Sequence, residues 1–173
     1  DGCGGSCGEC PDSQLCGADS FCDNTCLDTG PCFSLGFETL TLMDWTYAGA
    51  AYVITNLGEA TPPQGKAMLH LSTKKNNNGQ VSKKVLVPKD ATGFEVAWRF
   101  YSEEFLSWCG SQFQDDFTIS LTVGDQVVTV VAHTLNEICP ESECVGCGGL
   151  FPLEPSDIHF DQGDAYRTSW IRS

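Results

Sequence analysis

From residue 37 onward, apolar and polar side chains alternate in short runs, which is the pattern of half-buried β-strands. The clearest runs cover residues 67–72, 96–100, 117–123 and 126–132, and further strands are predicted over residues 36–42, 47–55, 80–87 and 166–171. Gly124-Asp125 lies between two of these runs, where a two-residue turn would join them into a hairpin. No segment shows a convincing helical period. Seven or eight strands at this spacing predict an antiparallel β-sandwich.

The first 36 residues have a different character. They contain six acidic side chains, no basic ones and too few large apolar groups to bury a core. We therefore expect covalent cross-links to hold this segment. The chain has 11 cysteines, a number typical of secreted proteins. The expected disulfide cysteines are Cys3, Cys7, Cys10, Cys16, Cys22, Cys26, Cys32, Cys109, Cys139, Cys144 and Cys147.

The alternative use of these thiols is zinc. Cys7-Gly-Glu-Cys10 and Cys144-Val-Gly-Cys147 both have the CxxC spacing of metal sites. Zinc sites usually come with basic residues, histidine or a second nearby CxxC, so the acidic, glycine-rich context favours disulfides. An odd count also means that at least one cysteine lacks a partner within this chain.

Two stretches resemble known families. Residues 1–17, which read DGCGGSCGECPDSQLCG, resemble a cysteine-rich repeat of large extracellular proteins from myxobacteria and their relatives. In that repeat, further cysteine and Gly-Asp residues precede this point. The resemblance therefore implies that Asp1 starts within a repeat, which would explain the odd cysteine.

The second stretch is similar to bacterial surface jelly-roll modules of the choice-of-anchor or carbohydrate-binding-like type. The matching positions are Gly36-Phe37-Glu38, Trp45, residues 63–68, residues 71–73, residues 101–105 and residues 115–117. The resemblance implies a disulfide module over residues 1–33 and a jelly-roll β-sandwich over residues 34–173. Such modules often hold one calcium ion and continue past a segment like Thr168-Ser169-Trp170 into two more strands. The resemblance thus implies that the last strands are missing here.

Composition and charge narrow the function. The net charge of −14 repels phosphate backbones and argues against nucleic-acid binding. No stretch approaches the roughly 20 apolar residues of a membrane-spanning helix. Together with the cysteines, this predicts a secreted protein located outside the cell or on its surface.

No catalytic motif is present. His70, His133 and His159 are isolated from any nucleophile motif. The carboxylates around residues 103–116 could form a glycosidase acid and nucleophile pair, but adjacent carboxylates are more typical of a solvated loop or a cation site. We therefore predict that the chain is not an enzyme.

Calcium is the stronger candidate ligand, because it binds six to eight oxygens of carboxylates and carbonyls in loops. The acidic side chains expected at strand ends are Glu38, Glu103, Glu104, Asp115 and Asp116. The alternative is a hydrated acidic loop without an ion.

An exposed aromatic ring could add sugar binding, since flat rings stack on pyranose faces. Trp98 alternates with apolar neighbours and is expected in the core. Trp108, next to Cys109 in a loop, is the tryptophan most plausibly exposed and is the candidate ligand-binding residue. Anchoring of the loop is the alternative role for this ring.

Seven of the nine basic residues fall between residues 66 and 99 and surround the turn at residues 76–79. They either protect a strand edge from aggregation or contact an acidic patch on a neighbour. The sequence as a whole predicts a structural or adhesive module. Its expected partners are copies of itself, through strand complementation, or a neighbouring surface protein. The alternative is a calcium-dependent module that binds polysaccharide.

Overall fold

The computed structural model describes residues 35–73, 78–85, 87, 91–161 and 163–173, together with the backbone of residues 15–16 and 22–23. The chain divides into two compact units, Asp1–Phe94 and Glu95–Ser173. The expected boundary between residues 33 and 34 lies outside the described residues, as do the side chains of the first seven cysteines.

The first unit contains three antiparallel strand pairs within its described part. The strands are β1 (Leu15–Cys16), β2 (Cys22–Asp23), β3 (Thr46–Ala48), β4 (Ala50–Ile54), β5 (Met68–Ser72) and β6 (Gln80–Ser82). Short strands β1 and β2 pair with each other, β3 pairs with β6, and β4 pairs with β5 over five residues. Gly79 directly precedes β6, and glycine is needed there because a Cβ at this position would clash with the backbone of Ala50 and Ser72.

Within its described residues, the second unit contains seven strands and one helical turn. These are β7 (Ala97–Trp98), β8 (Tyr101–Ser102), β9 (Asp116–Val123), β10 (Gln126–Thr134), α1 (Leu135–Ile138), β11 (Leu153–His159), β12 (Asp164–Thr168) and β13 (Ile171–Arg172). Among the described residues they form a three-stranded sheet in the order β11-β12-β8 and the pairs β9–β10 and β7–β13. All of these pairings are antiparallel.

The β9–β10 hairpin is the longest element. Val123 pairs with Gln126 across the turn, and Gly124 adopts a positive φ of 61° while Asp125 does not. A positive φ at the first turn position alone is the geometry of a type II′ turn, which favours glycine there. The register shifts between Thr129 and Val131, where β10 holds one extra residue in a bulge.

The core of the second unit surrounds the helical turn. Leu135, Ile138 and Cys139 are fully buried, and Phe105 and Cys147 pack against them. A capping box starts the turn: Glu137 N–H donates to Thr134 Oγ1 at 3.4 Å, and Thr134 N–H donates to the Glu137 carboxylate at 2.8 Å. This cap fixes four residues that are too few to form a helix on their own.

An aromatic layer extends this core. Trp98 is 6% exposed. The centroid of its ring lies 4.6 Å from that of Phe117 and 5.3 Å from that of Phe151. Its Nε1–H donates a hydrogen bond to Ser173 Oγ at 3.0 Å. The prediction of a core role for Trp98 is therefore confirmed.

The mainly antiparallel β fold is confirmed, whereas the jelly-roll topology stays a prediction. The runs over residues 67–72, 117–123 and 126–132 became strands with small shifts of their ends, and the Gly124-Asp125 turn is confirmed. The runs predicted over residues 47–55, 80–87, 96–100 and 166–171 are strands only in part. The strand predicted over residues 36–42 is wrong, because this segment forms successive turns. Strand β11 and helix α1 were not predicted. Residues 76 and 77 of the predicted basic turn, and Lys74, Lys75 and Lys89 around it, lie outside the described residues.

Candidate functional site

The loop between β8 and β9, residues 103–115, brings together most of the side chains predicted to bind a ligand. It is held against the helical turn at three points. Gly110 N–H donates to Asn136 Oδ1 at 2.7 Å, Asn136 N–H donates to Gln114 Oε1 at 2.7 Å, and Leu135 N–H donates to the Asp115 carbonyl at 2.8 Å. The Cys109–Cys139 disulfide adds a covalent link between the same two segments. Three hydrogen bonds and one disulfide therefore attach the loop to the helical turn and to Cys139 directly after it.

Three of the five predicted metal ligands interact in this loop. The pKa of Glu104 is raised above its ordinary 4.5, first by burial and then by the negative charges of Asp115 and Glu103. Oε2 of Glu104 is shielded from water and has no hydrogen-bond partner among the described residues. Buried carboxylate oxygens normally have a partner, so this oxygen is an unsatisfied acceptor among the described residues.

The other two predicted ligands have different surroundings. Asp116 is exposed at the start of β9, opposite Thr134. Glu38 belongs to the first unit, where both of its carboxylate oxygens accept from Lys66 N–H at 3.0 Å. The pairing of Glu38 with a backbone amide 28 residues away could not be read from the local sequence.

The loop also presents an exposed aromatic pair. Trp108 is 43% exposed and Phe113 is 59% exposed, and their rings meet edge to face with centroids 6.1 Å apart. The backbone links this pair to the carboxylates, because Trp108 N–H donates to the Glu104 carbonyl at 2.9 Å. Exposure of Trp108 follows the sequence prediction. Phe113 was missed, although its position between polar residues Gln112 and Gln114 was a signal for exposure.

Cys109 lies within the loop and three further cysteines lie beside it, and together they form two disulfides, Cys109–Cys139 and Cys144–Cys147. The prediction of disulfides is confirmed for these four. The sulfurs of Cys109, Cys139 and Cys147 lie within 4.8 Å of one another. As each of them is bonded to another sulfur, none is a thiolate that could bind zinc.

The three histidines do not belong to the loop at residues 103–115. Burial lowers the pKa of His70, which lies in β5 opposite Tyr52. His133 packs between the rings of Trp98 and Phe151 at 5.5 and 5.4 Å. His159 is exposed and pairs with Asp164 at 2.8 Å.

No protein-family model, no curated protein and no solved structure matches this chain. Within the described residues, no helix is both long and apolar enough to cross a lipid bilayer. Interpretation of the site therefore depends on its own geometry.

Proposed function

We propose that the chain is a non-catalytic structural or adhesive module of a secreted surface protein, and that copies of it associate through the β9–β10 hairpin. The observation that carries this proposal is the hairpin's pairing. Among the described residues, strands of eight and nine residues pair only with each other. Each strand therefore has an outer edge whose amide and carbonyl groups can accept a strand from a second copy.

The apolar face of the hairpin continues beyond the core as an exposed surface, which supports association of copies through the hairpin. Val131 is 3% exposed where the hairpin joins the core, but Val128 is 56% and Val123 is 71% exposed towards the turn. Burying such valines in an interface would stabilise it by about 1.5 kcal/mol or more per side chain. Isolated two-stranded hairpins gain stability from added strands.

Charge favours the same surface. The net charge is −14, yet Asp125 is the sole charged residue in positions 117–132. Like-charged copies repel each other least where their surfaces are neutral. The β-branched, nearly uncharged composition of these strands is also typical of segments that add to one another.

The disulfides support a location outside the cell, since such bonds persist in oxidising compartments and are rare in the cytosol. The two pairs account for all four cysteines of the second unit. The odd cysteine of the chain then belongs to the seven of the first 32 residues, where it could link one copy covalently to another.

Sedimentation velocity over a concentration series tests the proposal with the variant Val128→Lys. We expect wild type to associate reversibly and Val128→Lys to sediment as a monomer, because lysine on a strand surface opposes further pairing. Met43→Lys is the control, since Met43 is 88% exposed in the first unit and gains the same charge.

Both substitutions reduce the net negative charge, so general repulsion falls equally in the two variants. Met43→Lys should therefore associate at least as well as wild type. A wild-type protein that stays monomeric at every concentration, or equal weakening by both substitutions, would contradict association through the hairpin.

A second function is supported by the loop, namely calcium-dependent binding of polysaccharide. The supporting observation is the combination of three coupled carboxyl groups, one with an unpartnered buried oxygen, with the exposed Trp108–Phe113 pair. Glu103, Glu104 and Asp115 can supply up to six oxygens, and carbonyls or water can complete the shell of a calcium ion. The rings would then stack on sugar faces beside the ion.

A calorimetric titration with calcium and a glycan array separate the two parts of this second proposal. Calcium alone should bind wild type and Asp125→Asn, but not Glu104→Gln, because Glu104 belongs to the group of three carboxylates and Asp125 does not. A glycan array in the presence of calcium should lose its signal with Trp108→Ala and keep it with Tyr47→Ala, which removes an exposed ring of the first unit. Binding of calcium by Glu104→Gln with wild-type affinity would exclude this site.

A further inference from the structure

The Cys144–Cys147 disulfide lies at the rim of the second unit, where small molecules can reach it. Cys144 is half-buried, Val145 is fully exposed, and nothing lies within 4 Å of the position that a Cβ on Gly146 would take. Residues 141–147 line an open concave surface. A thiol from solution can therefore approach Cys144.

Its partner Cys147 points inward. Cys147 is 8% exposed and belongs to the buried cluster with Cys139. The sulfur of Cys147 lies within 4.8 Å of the sulfurs of both Cys109 and Cys139. Two disulfides are thus placed side by side, with one end of the exposed bond next to the buried bond.

Two glycines allow the segments that carry the two disulfides to lie close together. A Cβ on Gly110 would lie 2.7 Å from Cys144 Cβ, and a Cβ on Gly148 would lie 2.6 Å from the Glu137 carbonyl oxygen. Both contacts are closer than real Cβ atoms tolerate. Glycine at positions 110 and 148 therefore lets the segment with Cys144 and Cys147 lie directly on the segment with Cys109 and Cys139.

We propose that this cluster is a thiol-exchange site, in which Cys144–Cys147 accepts electrons from a small thiol and passes them to the Cys109–Cys139 disulfide. The proposal is independent of hairpin association and of calcium binding, and concerns a reaction of the folded chain.

The first step is attack of an external thiolate on Cys144. A bond forms between the external sulfur and Cys144, the Cys144–Cys147 bond breaks, and Cys147 leaves as a thiolate. In the second step Cys147 attacks Cys139. The Cys139–Cys147 bond forms, and Cys109 leaves as a thiolate that takes a proton from water.

Cys109 is the better leaving group of the buried pair, because it is half-buried while Cys139 is fully buried, and a thiolate is stabilised by water.

In the third step a second external thiol attacks the external sulfur that is bonded to Cys144. The two external sulfurs form a disulfide, and Cys144 is released as a thiol. In total two external thiols become one external disulfide, and the chain exchanges two disulfides for Cys139–Cys147 plus the free thiols of Cys109 and Cys144.

Peptide mapping after limited reduction tests this sequence of bonds. The full chain is treated with a limiting amount of glutathione, trapped with an alkylating reagent in acid, and cleaved after glutamate. This cleavage separates residues 105–137 (Cys109), residues 138–141 (Cys139) and a peptide that begins at residue 144 (Cys144 and Cys147). We expect loss of the cross-link between the first two peptides, a new cross-link between the last two, and alkylated Cys109.

Two single variants give a matched comparison without any reductant. Cys144→Ser leaves Cys147 as a free thiol beside the buried bond, so we expect the Cys139–Cys147 cross-link and label on Cys109. Cys147→Ser leaves Cys144 free, whose sulfur is not in the group of three, so Cys109–Cys139 should stay intact with label on Cys144. If either variant fails to fold, the wild-type reduction still decides the question.

The proposal is overturned if limited reduction of wild type opens Cys144–Cys147 and leaves Cys109–Cys139 intact in the same molecules. Label on Cys147 and not on Cys109 in folded Cys144→Ser would overturn it equally, because exchange would then be blocked at its second step.

Discussion

At the scale of single residues, Glu104 is an acidic residue whose ionisation is opposed by its surroundings. Its N–H donates to the hydroxyl of the buried Ser102 at 3.0 Å, which fixes the backbone where the loop begins. Burial and two neighbouring carboxyl groups raise its pKa. The charged form is therefore disfavoured unless a cation offsets the repulsion.

This predicts a pH dependence of stability in the absence of calcium. A carboxyl whose folded-state pKa is raised binds protons more tightly in the folded than in the unfolded chain. Its contribution is then most favourable below its ordinary pKa of 4.5 and is lost as the pH rises through the raised value. We expect the melting temperature of Glu104→Gln to exceed that of wild type by an amount that grows over this window.

Calcium should reverse the order of the two melting temperatures, so that wild type becomes more stable than Glu104→Gln. Excess calcium at neutral pH is expected to raise the melting temperature of wild type and to leave Glu104→Gln unchanged, since a ligand stabilises the state that binds it. Thermal melts with and without calcium at several pH values provide the measurement. Parallel curves for wild type and variant at every pH would show that Glu104 is not coupled to its neighbours.

The sequence could identify the carboxylates at residues 103–115 because they are close along the chain. It could not identify the role of Glu38, whose partner is the Lys66 amide, nor the contact that requires glycine at position 148. These depend on approaches between distant segments, for which a single sequence carries no signal.

At the scale of elements, the two disulfides differ in what they constrain. Cys109–Cys139 closes a loop with a sequence separation of 30, and Cys144–Cys147 closes one with a separation of 3. Each pair has one half-buried and one buried cysteine residue, so replacing either pair by alanine removes similar packing.

We expect the double variant Cys109→Ala, Cys139→Ala to lose about 3.5 kcal/mol of unfolding free energy from the larger loop, and Cys144→Ala, Cys147→Ala about 2 kcal/mol. Urea unfolding followed by tryptophan fluorescence measures both, since Trp98 lies in the adjoining core. A larger loss from the second double variant would mean that native packing, and not loop closure, decides the contribution.

Elements were predictable where the side-chain period was clear. The alternation in residues 117–123 and the Gly124-Asp125 turn specified the hairpin almost to its ends. Strand β11 was missed because Leu153–His159 contains Pro155 and two acidic residues and alternates poorly. The segment 36–42 contains enough apolar residues for a strand, but Leu40 adopts a positive φ of 59° in a turn. Helix α1 is too short to show a period.

At the scale of the whole molecule, two kinds of association can be told apart by salt. Contact through the neutral hairpin is opposed by the net charge of −14, and this repulsion weakens as the screening length falls from about 30 Å at 0.01 M to about 3 Å at 1 M salt. Contact between a basic turn of one copy and an acidic patch of another would instead weaken in salt, because its attraction is screened.

We therefore expect the association constant of wild type to rise when sodium chloride is increased between these limits, and that of Met43→Lys to start higher and rise less. Val128→Lys should remain monomeric throughout, which shows that salt acts on the hairpin contact and not on unspecific aggregation. Chloride is preferred to sulfate, which strengthens apolar contacts by itself. Dissociation on adding salt would assign the contact to opposite charges, and the exposed valines of the hairpin would then need another role.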